Sequence, residues 1–177
     1  MDIILSSISQ GLLWSVMAIG VYLTFRILDI ADMTAEGSYP LGAAVCATGI
    51  VNGLNPLLAT FLAMIAGMGA GLISGLLHTK LKIPALLTGI VTLTGLYSIN
   101  LKILGKANVA LLKQETLVTQ LQDFGLAKTN AVLVIGIIFV LAVVGVLTLL
   151  LNTQIGLAIR STGDNIPMSE ANGINVD

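Results

Sequence analysis

The sequence predicts an all-α integral membrane protein, a polytopic bundle of about five transmembrane helices in which the second is broken. Three observations carry that reading. Of 177 residues, 56% are hydrophobic and 10% charged, whereas a soluble domain carries about 25% charged residues; the mean hydropathy is +0.99. Apolar runs recur near residues 3–25, 37–54, 56–77, 83–101 and 131–151, most of them close to the roughly 20 residues that cross a hydrocarbon core. The polar residues are gathered into a few short connections and one polar C-terminal segment. The chain therefore divides into a transmembrane part, 1–151, and a polar part, 152–177.

Composition also excludes several classes. The net charge of −1 leaves no basic stripe to neutralise phosphates, so no nucleic acid is expected as a partner. One His and one Cys rule out a His/Cys metal cluster, and a single His at a membrane boundary gives no ground for a Ser-His-Asp arrangement. Cys46 reads as a small buried hydrophobe and forms no internal disulfide. No G-x-x-x-x-G-K-[ST] is present, so the chain is not itself an ATPase of the P-loop kind. No cofactor is expected.

Residues 3–25 are uncharged and form the first span, with Trp14 and Tyr22 as packing or interfacial anchors and Arg26 closing it. Asp2 precedes the run without a basic n-region, which predicts a retained helix rather than a removed signal peptide. Next, Asp29, Asp32 and Glu36 fall within eight residues, and Gly37 and Pro40 are expected to interrupt the helix that follows. Two explanations compete: a wet interhelical loop, or a broken helix whose irregular backbone lines a cavity. On the second, Asp32, Thr34, Glu36 and Ser38 are candidate polar groups beside a conduit.

Residues 37–54 are charge-free and rich in small residues, so this run belongs inside the bundle. Asn52–Asn55 turn the chain, and Pro56 is placed to start the third span. Within it Ala63, Gly67, Gly71 and Gly75 repeat every four residues, a spacing that lets two helices pack closely in lipid. His78–Lys82 make a short basic loop. The fourth span, 83–101, carries Thr88 and Thr92 on one face with Gly95, suited either to a polar path or to hydrogen bonding between helices. In the connection 102–130, Leu117, Leu121 and Phe124 suggest a short amphipathic surface helix. Residues 131–151 form the most uniformly apolar span.

The polar segment reads GLAIRSTGDNIPMSEANGINVD from Gly156 to Asp177. Ile155–Ser161 can carry a helix out of the bilayer, Gly163 and Asp164 turn it, and Pro167 fits the first turn of a second short helix capped by Asp164 or Asn165. Gly173 ends that helix. This pattern resembles the cytoplasmic coupling segment of ATP-binding-cassette permeases in the class that imports branched-chain amino acids, ribose, nucleosides and related solutes. There a Gly, an Arg, an acidic-Asn pair, a small-residue helix and a closing Gly-Ile recur in this order. Upstream, GLLHTKLKIPALLTGIVTLTGL is similar to a basic loop and helix of the same permeases.

The resemblance implies the N-terminal part of such a permease, with further membrane helices expected after Asp177. It implies that Arg160, Asp164, Asn165, Ser169, Glu170 and Gly173 couple the membrane subunit to a separate ATPase, and that the Asp29–Pro40 region begins the broken helix beside the pathway. Its partners would be that ATPase, a second permease copy, an extracellular solute-binding protein and the lipid bilayer of a prokaryotic cell membrane. Basic residues do not orient the chain, since Arg26, Lys80, Lys82 and Arg160 on one side balance Lys102, Lys106, Lys113 and Lys128 on the other. With the last segment cytoplasmic, the N-terminus and the 102–130 connection are external. The function expected is solute import, for amino acids or another small polar solute. An ion-coupled secondary transporter or channel subunit, using Asp29, Asp32 or Glu36, is the alternative, and a purely structural membrane subunit is a third class.

Overall fold

The computed structural model describes residues 2–106, 109–111, 114–123, 125 and 127–175. Lys113, Phe124 and Asp177 lie outside the described residues. Helices α1 (Asp2–Tyr22), α2 (Thr34–Val51), α3 (Pro56–Thr79), α4 (Ala85–Leu104), α5 (Leu117–Asp123), α6 (Lys128–Leu151), α7 (Gln154–Asp164) and α8 (Ile166–Ala171) follow in order, and a π-helical turn, Leu23–Ile27, extends α1. Among the described residues there is no strand. Four helical stretches, Ile3–Ile27, Pro56–Thr79, Ala85–Leu104 and Lys128–Leu151, are long and apolar enough to cross a membrane. The protein is a multi-pass all-α membrane protein.

Two compact units divide the chain, one of residues 33–132 and one of residues 1–32 with 133–177. In the 33–132 unit, α2, α3 and α4 pack on one another, with Leu41, Ala70 and Leu96 meeting at the centre. Small residues on α2 permit this. A Cβ added at Gly37 would lie 3.1 Å from Leu93 Cα of α4, and one at Gly49 would lie 3.2 Å from Ala59 Cβ of α3. Helix α3 starts where its sequence dictates: Pro56 occupies the first turn, and the Asn55 side chain accepts the Leu57 amide at 3.0 Å. Helix α4 ends at Gly105, whose φ of +66° an L side chain rarely adopts.

The expected interruption of the second helix at Gly37 and Pro40 is displaced. Helix α2 continues through Pro40, which leaves the Glu36 carbonyl without the amide that would bond to it in a regular helix. The irregular backbone instead occupies residues 28–33, between the π-helical turn and α2. Spans also exceed their apolar cores: Lys102 lies within α4, and Lys128–Asn130 within α6.

In the other unit, α1 and α6 approach closely enough that a Cβ at Gly136 would lie 3.1 Å from Leu12 Cβ. The expectation that a helix runs directly out of the bilayer into Ser161 is corrected. Helix α6 ends at Leu151, and α7 is a new helix whose N-cap, Thr153, accepts the Gly156 amide at 3.3 Å. Gly156 makes this junction possible, because a Cβ there would overlap Leu150 O and the Leu151 backbone.

Candidate functional site

The α7–α8 corner is built almost entirely by local chemistry. Helix α7 extends through Asp164, so Gly163 lies inside it and the turn falls at Asn165, which has extended backbone. Of the two caps expected, Asn165 serves: its Oδ1 accepts the Met168 amide at 3.0 Å, and Pro167 occupies the first turn of α8. At the far end Gly173, with φ +79°, donates to Glu170 O at 2.9 Å while the Ile174 amide donates to Ser169 O at 3.0 Å. This pair of bonds satisfies the last carbonyls of α8 and sets where it stops.

That frame exposes Arg160, Asp164, Asn165, Met168 and Glu170, whereas Ser169 is buried, at 2% exposure. A helix pair with an acidic and basic rim and exposed apolar side chains at Met168 and Ile166 suits docking to a protein surface. Ser169 faces inward and supports the corner from within.

The other candidates separate by position. Asp32 is half-buried and Glu36 exposed, flanking the start of α2. Thr34 is buried and its Oγ1 donates to Ser74 Oγ of α3 at 2.7 Å. The half-buried Ser38 hydroxyl turns back to Ala35 O at 3.2 Å. On α4, Thr88, Thr92, Leu96 and Asn100 form one buried face at intervals of four. Thr88 donates to Ile83 O at 3.4 Å, while Thr92 Oγ1 and Asn100 Oδ1 are buried without a hydrogen-bond partner. His78 Nδ1 lies 2.8 Å from Ile83 O and closes the basic loop. Gly67, Gly71 and Gly75 on α3 have open space where a Cβ would stand, so their close-packing capacity is not used at these positions within the described chain.

Sequence reasoning did not single out Ser74, Gly37 as a packing contact, or the π-helical turn. A hydroxyl at Ser74 within the otherwise apolar run 61–77 of α3 was the available signal for the first. Among the described residues, no group of three or more His, Cys, Asp or Glu side chains is arranged to hold a metal ion.

These features define a helical multi-pass membrane protein with a capped helical corner outside the apolar spans. The chain belongs to the permease family described as "Branched-chain amino acid transport system / permease component", which matches residues 3–177. It is 41% identical over 173 residues to a protein named "Tyrosine transport system permease protein" from Clostridioides difficile, covering 98% of this chain and 56% of that one. It is 34% identical to "Uncharacterized protein RP368" of Rickettsia prowazekii, over 93% of this chain and 56% of that one. It is 30% identical to "Autoinducer 2 import system permease protein LsrC" of Yersinia enterocolitica, over 98% of this chain and 46% of that one. The chain thus spans about half the length of the curated relatives it matches. No solved structure matches it.

Proposed function

We propose that this chain acts in the transmembrane subunit of an ATP-binding-cassette importer, with α7 and α8 forming the cytoplasmic surface on which a separate ATPase docks. The observation that carries this reading is the corner capped by Asn165 and Gly173, which displays Arg160, Asp164, Met168 and Glu170 on a frame fixed at both ends. A carrier driven by an ion gradient has no use for such a corner. Family membership supports the same assignment.

On this reading Asp32 and Glu36, at the irregular entry to α2, border the solute path, Thr34 ties α2 to α3 beside it, and Thr88 and Thr92 lie on the buried face of α4. A second permease copy would complete that path, and an external binding protein would deliver solute. Amino acids are the favoured solute class, on the strength of the family description and of the tyrosine-named relative. The test uses the full-length permease reconstituted with its ATPase, with uptake and ATP hydrolysis measured on one preparation. Docking buries a small surface, so one charge-assisted hydrogen bond, worth about 1.5–3 kcal/mol, is a large share of what transmits motion. Arg160→Ala, Asp164→Ala and Glu170→Ala lower uptake per ATP while membrane insertion persists. A wild-type ratio in all three returns α7–α8 to an ordinary solvated loop.

A further inference from the structure

Helix α7 meets the π-helical turn that extends α1 at a tight place. A Cβ added at Gly163 would overlap the Ile27 carbonyl oxygen and come 3.1 Å from Leu28 Cα. The second Cα hydrogen of Gly163 therefore points at that oxygen, the last carbonyl of the π-helical turn, in the manner of a Cα–H···O contact. Helix ends leave such carbonyls short of amide donors, which suits this one to a contact of that kind. Only glycine permits the approach.

The turn beneath it is itself unusual. Leu28 N–H donates to Leu23 O at 3.1 Å and Ile30 N–H to Thr24 O at 3.0 Å, wider than the regular helical spacing. π-Helical insertions of this kind concentrate at functional places in helices. Two residues beyond Ile27, Asp29 has φ +53°, a left-handed conformation that a non-glycine residue holds at a cost and that Asp tolerates better than most. Five residues later the chain enters α2. A glycine contact, a widened turn and a left-handed residue thus follow one another between the docking corner and the helix placed beside the path.

We infer that Gly163 and the Leu23–Asp29 segment form a mechanical joint, by which displacement of α7 is passed through Ile27 and the Asp29 hinge into α2. The inference rests on the reading of α7–α8 as the ATPase-docking surface. Rigid packing at Gly163 makes the push direct: α7 cannot move toward Ile27 without carrying its carbonyl along. Flexure is then taken up in the irregular 28–33 stretch, where Asp29 already holds a left-handed backbone conformation.

The test has two readouts on the full-length permease. The first is amide hydrogen exchange over residues 23–33 in the permease alone. The second is uptake per ATP in the complex, with co-purification of the ATPase followed in parallel. Gly163→Ala is expected to raise exchange at Leu28 and Ile30 by about tenfold and to lower uptake per ATP by about fivefold or more, with ATPase co-purification retained. Should Gly163→Ala fail to insert, Asp29 carries the test: Asp29→Gly, which accepts a positive φ, keeps the wild-type ratio, and Asp29→Val, which does not, lowers it. Glu170→Ala alters the complex but leaves exchange over 23–33 unchanged.

Unchanged exchange in Gly163→Ala overturns the joint. Raised exchange with a wild-type uptake ratio overturns its transmitting role, as does an Asp29→Val variant that couples normally. If Glu170→Ala and Met168→Ala leave docking and coupling intact while Gly163→Ala uncouples, the docking surface is misassigned and the joint stands.

Discussion

Thr34 Oγ1 donates a 2.7 Å hydrogen bond to Ser74 Oγ, and both side chains are buried, at 4% and 3% exposure. Forty residues of chain separate them, so the bond ties the first turn of α2 to the C-terminal half of α3. Without water to compete, such a bond between membrane helices contributes about 0.6 kcal/mol on average and up to about 1.7. A double-mutant cycle of Thr34→Val and Ser74→Ala, read by unfolding in detergent, should return a coupling energy in that range. Additive single effects would show that the two hydroxyls act independently.

Thr92 poses the opposite case. Its hydroxyl is buried with no partner, so it was desolvated on folding without compensation. Thr92→Val, nearly the same shape, should leave the protein as stable or stabilise it by about 1 kcal/mol. Solute uptake of the full-length transporter decides what the hydroxyl is for. Wild-type uptake assigns Thr92 to helix packing, and a clear loss in a stable variant returns it to the solute path.

Asp32 and Glu36 stand at the path side of the reading. Asp32→Asn and Glu36→Gln should impair uptake while assembly and basal ATP hydrolysis persist. Normal uptake in both variants would make the 28–36 stretch a wet loop.

Gly173 holds φ +79° at the end of α8. An L side chain in that region costs about 1–2 kcal/mol, and a β-branched one more. Gly173→Val should therefore unwind the end of α8 and uncouple uptake from hydrolysis more severely than Glu170→Ala. Gly173→Asn, which tolerates a positive φ, should restore most of the coupling.

Orientation can be read with single cysteines in a Cys46→Ser background. Ser169 is too buried to report, so Lys80 and Asn172, both exposed, serve for the cytoplasmic side and Ala127 for the outside. Ala127→Cys should react with an impermeant thiol reagent in intact cells. Lys80→Cys and Asn172→Cys should react only after permeabilisation. The reverse pattern would place α7 and α8 outside, beyond reach of any cytoplasmic ATPase.

What the sequence by itself determined is what depends on composition and near neighbours. Apolar runs announced a membrane protein because a long uncharged stretch has no stable place in water. Pro56, Asn165, Pro167 and Gly173 marked helix ends because caps are made within a few residues. The tertiary structure decided everything that needs a distant neighbour. Gly37 was expected to interrupt a helix and is instead where α2 meets Leu93 of α4. Gly163 was expected to turn the chain and is instead inside α7, against Ile27. Both readings began from the same property, a missing Cβ. That absence frees the backbone and also lets another chain segment come close, and only the position of the other segment says which use is made of it.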